Sequence, residues 1–237
     1  MVMKKKILLR IFSLALVASL VIPMTGCGSK RRQEEYKRDG IEAMQNEDYD
    51  KALKYFLNAL SQSGSVGKEE KDLALYKASA QYKLGKSGEA LKTLQGLLEF
   101  DSKDVKALYL MGLIYCDCNK PSKALNYLTK ACSLSRKSSL YENAYLSLIN
   151  AGMGDQADTF YEKMPKEARA SKEVLRLRVI SYEDGSDFSN ALDSAESYLR
   201  QYPDDEDMAK EKDFLETALK TVSTDNDAEE TETTENN

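Results

Sequence analysis

Three cysteines fall within one short run, "YLMGLIYCDCNKPSKALNYLTKACSLS", between Tyr109 and Ser135: Cys116, Cys118 and Cys132. Thiolates ligate soft metals and exchange disulfides, so this stretch is the first place to look for chemistry. The spacing argues against a zinc site. Structural zinc sites place about two to four residues between paired cysteines and add a second pair, whereas a single residue separates Cys116 from Cys118 and no second pair follows. Carboxylates are the other candidates. Asp48, Asp50, Asp101, Asp155 and Asp187 each stand where a helical pattern begins, the position that N-caps and the helix dipole favour. "PDDEDM" at 203–208 lacks the glycine spacing of a calcium loop and reads as an acidic helix start. The chain has no His, which removes the commonest general base near neutral pH and the commonest metal ligand. No catalytic residue, metal site or cofactor is expected, and the reading is of a protein that is not an enzyme.

What positions these residues is a helical framework. The 237 residues include only 4 Pro and 12 Gly, too few for a turn-dense sandwich or barrel, while charged residues reach 31%. Five segments share one outline: "EDYDKALKYF", "GKSGEALKTL", "NKPSKALNYL", "GMGDQADTFY" and "GSDFSNALDSA". Their alanines, Ala52, Ala90, Ala124, Ala157 and Ala191, are spaced 38, 34, 33 and 34 residues apart. A fixed period of this length is the mark of stacked helical hairpins, none of which can bury its apolar face alone. The longer first interval falls in "SQSGSVGKE", a Gly/Ser stretch where insertion is cheap. Small residues in the first helix of a unit (Gly40, Ala78, Gly112) allow close approach of the second. Gly85, Asn119 and Gly152 tolerate the left-handed backbone of a tight corner.

The pattern resembles the tetratricopeptide repeat (TPR). The third unit carries Leu108, Gly112, Tyr115, Ala124 and Leu128 at the family's spacings, the first Tyr36, Gly40, Ala52 and Phe56, and the last Tyr182, Ala191 and the terminating Pro203. The resemblance implies an all-α, right-handed α-solenoid of about five hairpins over 33–66, 71–104, 105–137, 138–170 and 172–205, closed by a capping helix at 206–220. The segment 221–237 is acidic, has no core residue beyond Val222 and is expected to be disordered. Placed on the repeat, Cys116 and Cys132 lie at opposite ends of a hairpin, about 15 Å apart at 1.5 Å rise per residue, too far for a disulfide. The three cysteines are therefore read as packing residues.

The resemblance also implies a concave face lined by the first helices. Its inward positions are Ile41, Met44, Leu75, Tyr82, Tyr109, Leu113, Leu146, Ile149 and Ile180, with Lys37, Lys83, Asp117, Asn150, Arg176 and Glu183 as polar neighbours. An apolar floor with a mixed rim suits an extended peptide or a partner's helix. The Lys-Asn-Asn set that clamps a C-terminal carboxylate in some TPR domains is absent from these positions.

The N-terminus reads as an address. Lys4, Lys5, Lys6 and Arg10 precede an apolar run of 14 residues from Ile11 to Met24, shorter than the about 20 that a spanning helix needs. Met24-Thr25-Gly26-Cys27 then resembles the lipobox of bacterial lipoproteins, which implies a signal peptide over 1–26 and acylation of Cys27. Lys30, Arg31 and Arg32 complete a short basic tether at 27–32. Two acyl chains anchor stably, each buried methylene contributing about 0.8 kcal/mol. The expected location is the extracytoplasmic face of a bacterial cell membrane. Beyond residue 26 the chain is more acidic than its formal net charge of −5 suggests, and no basic stripe with interleaved aromatics offsets that, so nucleic acid is not an expected partner. The expected function is a membrane-anchored interaction scaffold or assembly factor. The alternatives are a component of an envelope assembly machine and a carrier of peptide or glycan fragments.

Overall fold

A computed structural model describes residues 25–63 and 67–235, with side chains for 28–63 and 67–221. The signal peptide, apart from its last residues, and the Cys27 side chain lie outside these described residues. The chain divides into two compact units, one ending at Phe100 and the other beginning at Asp101.

The first unit contains α1 (Thr25–Gln45), α2 (Tyr49–Ser61), α3 (Lys68–Lys83) and α4 (Ser87–Phe100). The α1–α2 hairpin is set by one glycine. A Cβ on Gly40 would lie 2.5 Å from Cε1 of Phe56, so the buried ring occupies the space a side chain would need. Phe56 then stacks on Tyr76 of α3 at 5.3 Å between centroids, and Ala43, Ala52, Ala59, Leu73 and Ala80 complete the core. Glu70 holds the described residues on either side of 64–66, Ser63 and Gly67. Its carboxylate accepts from the Gly67 N–H at 2.7 Å, from Gln33 Nε2 at 3.0 Å and from the Ser63 hydroxyl. The Ser63 hydroxyl first, then Gln33, hold its pKa down at about 2, with the backbone N–H adding less. Gln33 is itself buried, so this contact anchors α1. The segment 27–32, expected as a tether, belongs to α1. It contains no Pro, and Arg31 pairs with Glu35 one turn on at 3.1 Å.

The second unit contains α5 (Val105–Asp117), α6 (Pro121–Ser135), α7 (Ser138–Asn150), α8 (Gly154–Lys163), the single turn α9 (Lys166–Arg169), α10 (Lys172–Asp184), α11 (Phe188–Gln201) and α12 (Glu206–Glu235). Among the described residues there are helices and no strands. The pairs α5–α6, α7–α8 and α10–α11 are the third, fourth and fifth hairpins. One core cluster joins Cys116, Leu128, Tyr145, Leu148 and Phe160, and another joins Leu175, Val179, Tyr198 and Leu215. Each large aliphatic or aromatic side chain so buried contributes about 1.5–3 kcal/mol. Pro165 ends α8 early: Met164 before it is extended, with ψ 146°.

All five corners are built the same way. Glu47, Gly85, Asn119, Gly152 and Ser186 have φ of 59°, 74°, 50°, 66° and 57°, each five residues before the shared alanine. The following N–H, on Asp48, Lys86, Lys120, Met153 or Asp187, reaches back to Ala43, Gln81, Tyr115, Leu148 or Tyr182 at 2.8–3.0 Å. This is the Schellman closure, which satisfies carbonyls that a helix end would leave orphaned. The alanine five residues on is buried in every case, at most 1% exposed. Any larger side chain there would force the two helices of the hairpin apart.

The last helix is fastened at its start. Asp205 accepts from the Tyr198 hydroxyl at 2.5 Å, from Lys172 Nζ at 2.9 Å and from the Met208 N–H at 3.1 Å. "PDDEDM" is thus an acidic helix start. The helix does not stop at 220 but runs through the acidic segment, expected as disordered, to Glu235. That segment holds no Pro or Gly to break the backbone ladder.

Candidate functional site

Cys116 and Cys132 are buried in the repeat core and unpaired. Burial pushes their thiols up to about 11 and about 12, where the reactive thiolate is scarce at neutral pH. Cys118 differs from the expected packing role. It caps α5 at the corner and is exposed, because the helix has ended and no second layer covers that turn. Among the described residues no three His, Cys, Asp or Glu side chains are grouped to hold a metal. The acidic residues at the corners act locally. Asp48, Asp104 and Asp187 cap helices through the N–H groups of Lys51, Ala107 and Asn190.

The nine apolar positions expected on the first helices all keep solvent-accessible area. Ile41, Met44, Leu75, Tyr82, Tyr109, Leu113, Leu146 and Ile149 are half-buried, and Ile180 is 43% exposed. Ile41 and Met44 rest on the core of the first unit. Tyr109, Leu113, Leu146 and Ile149 rest on the larger core of the second. Burial raises the Tyr109 phenol above its usual pKa, so it stays a neutral donor.

Two of the nine meet in one place. Ile149 and Ile180 line a cleft of about 540 Å³ between the C-terminal ends of α7 and α10. Leu177 completes an aliphatic floor; Asn150, Ser181 and Asp184 supply polar groups; Gly152, Gly154 and Gly185 leave stretches of bare backbone. A Cβ on Gly152 or Gly154 would meet nothing within 4 Å, so a ligand's own backbone can approach there. Repeat spacing marks neither Leu177 and Ser181, which flank the inward position Ile180 on α10, nor Asp184, Gly185 and Gly154, which lie at helix ends. The repeat marks Ile149 as an inward position, Asn150 as a polar neighbour and Gly152 as a corner, and the fold joins all three in the cleft. The arrangement can hold an apolar side chain and pair with backbone or a charged group.

A second feature on the same helix locks the unit. Arg178 of α10 lies over the Tyr161 ring at 4.1 Å and beside Tyr182 at 5.0 Å. Its guanidinium pairs with Asp158 at 3.3 Å, and the Tyr182 hydroxyl donates to the same carboxylate at 2.9 Å. Burial and that carboxylate push the Tyr182 phenol up to about 12. This cluster fixes α10 against α8 and so holds the cleft's floor in place.

Solved structures share this architecture. A tetratricopeptide-repeat protein from Parabacteroides merdae aligns over 82% of this chain and 76% of its own, at 15% identity and a TM-score of 0.58. The MamA protein aligns over 72% of this chain and 91% of its own, at 17% identity and 0.53. YrrB, described as a TPR protein with an unusual peptide-binding site, aligns over 75% and 90%, at 17% identity and 0.50. At these identities the likeness is one of fold, and the chain has the tetratricopeptide-repeat fold. No protein-family model matches the chain, and no curated protein matches it in sequence.

Proposed function

We propose that the protein is a non-catalytic interaction scaffold, held at the extracytoplasmic face of a bacterial membrane by a lipid on Cys27, that takes peptide segments or helices of other proteins on its first helices. The observation that carries this reading is the apolar face that the first helices of the second unit leave partly exposed, Tyr109 and Leu113 on α5 and the Ile149, Leu177 and Ile180 floor of the cleft. An apolar surface of this kind, left wet by the fold, matches helix-in-groove and extended-peptide recognition. YrrB's described peptide-binding site supports the same use of the fold. The anchor rests on the Thr25-Gly26-Cys27 lipobox resemblance and the basic, apolar leader. Among the described residues no helix is long and apolar enough to cross a membrane.

Crosslinking in intact cells followed by mass spectrometry tests the scaffold role, with the Tyr109→Ala/Leu113→Glu double variant as the control. Loss of specific partners from the variant, with its melting transition retained, supports the role; an unchanged partner set sinks it. Membrane fractionation of Cys27→Ala tests the anchor separately. A chain released to the soluble fraction is expected, and one that stays bound removes the lipid from the proposal.

A further inference from the structure

We infer that the cleft between α7 and α10 selects peptides carrying an aliphatic residue followed closely by Lys or Arg, the aliphatic side chain lying on Ile149 and Ile180 and the cation ending at Asp184. This deepens the proposed scaffold function and rests on it.

The choice of occupant follows from charge. Among the described residues that line the cleft, Asp184 is the one that is charged. It stands in the last turn of α10, where no basic residue neutralises the helix end. The C-terminus of α7 also meets the cleft, through Ile149 and Asn150, and its last turn likewise holds no basic residue. Helix C-termini carry partial negative charge, so two of them and a carboxylate face the same space. The α8 N-terminus, at Gly154, is the opposing positive end, and Asp155 in its first turn offsets it. A cation is favoured in such a field and an acidic segment is repelled.

The apolar half of the motif follows from exposure. Ile180 remains 43% exposed although it faces the cleft, and a covering aliphatic side chain would remove that area from water. The bare backbone at Gly152 and Gly154 allows the peptide main chain to lie close. A phenyl or indole is not required by the lining, which contains no aromatic residue.

The test pans a random heptapeptide library on the full chain and, in parallel, on Asp184→Lys. The native chain is expected to enrich peptides with Lys or Arg within a few residues of Leu, Ile or Val. Their binding should fall at least tenfold on Asp184→Lys and at high salt. The Asp184→Lys chain should instead enrich Asp or Glu. Ile180→Ser, an exposed position whose change leaves the melting transition in place, should weaken the same peptides about tenfold. Pools of equal charge from the two chains, or an acidic pool from the native chain, overturn the inference. Capture of no heptapeptide overturns it too, and the scaffold function still stands if the double variant loses its partners.

Discussion

A methyl group placed on Gly112 would lie 2.6 Å from both Cγ and Cδ2 of Leu128, and 3.2 Å from the Leu128 backbone nitrogen. The α5–α6 hairpin is therefore closed to contact at this point, with the backbone of one helix against the side chain of the other. Gly112→Ala is expected to lower stability by about 1–3 kcal/mol, the usual cost of overpacking a core. Leu128→Ala made in the same chain should recover part of that cost, because it removes the atoms in the way. Urea unfolding of the two single variants and the double variant gives the coupling. Strictly additive changes would mean the hairpin relaxes elsewhere.

The corners divide what the sequence reveals from what it hides. Gly85, Asn119 and Gly152 announce a left-handed residue by type, and the structure places each at positive φ. Glu47 and Ser186 occupy the same place in their hairpins, at φ 59° and 57°, yet nothing in their side chains signals it. The Schellman closure and the buried alanine impose the conformation against the residue's own preference. Glu47→Gly and Ser186→Gly should thus raise stability by about 0.5–1 kcal/mol each, read from the shift in a urea midpoint. Gly85→Ala should lower it by a similar amount. A loss on Ser186→Gly would mean that the serine makes a contact worth more than its strain.

The same division runs through the cleft. Ile149 and Ile180 were legible because the repeat period marks inward positions on first helices. Asp184 and Gly185 were not, because they lie past the last inward position, and only the meeting of two helix ends gives them a shared space. The fold was more legible than the site, since five registered alanines report on packing and none reports on what is left uncovered.

The cysteines give a test that separates packing from chemistry. Cys118 is exposed, while Cys116 and Cys132 are buried with thiols pushed up to about 11 and about 12. In a chain with Cys27 replaced by Ser, a thiol reagent at pH 8 should label Cys118 quickly. The other two should react only as fast as the second unit opens. Cys118→Ser should abolish the fast phase, as mass spectrometry of the labelled peptides would record. Fast labelling of Cys132 in the folded chain would place it outside the core and contradict the packing described above.

Glu183 of α10 stands beside Glu211 of α12, where the last hairpin meets the helix that covers it. Two half-buried carboxyl groups face each other. One oxygen of Glu183 is buried and finds no hydrogen-bond donor among the described protein groups. Burial first, then the neighbouring Glu211 carboxyl and the charge of Asp184, raise the Glu183 pKa to about 7. The folded state therefore holds a proton here that an unfolded glutamate, with its ordinary pKa of 4.5, gives up. Between those two values the native chain binds more protons than the unfolded one, so this pair's stability is full below about pH 4.5 and is lost as pH rises through about 7. With solvent screening of a partly exposed pair allowed for, the change should be on the order of 1 kcal/mol. Glu211→Gln should reduce the slope, with burial of Glu183 sustaining the remainder, and leave the last hairpin more stable at pH 8, because an amide can donate to Glu183 without carrying charge. Urea midpoints at pH 5 and pH 8, together with hydrogen exchange of α12 amides, measure both effects. A native chain whose α12 protection is the same at the two pH values would show that Glu183 does not titrate with a raised pKa in the folded state.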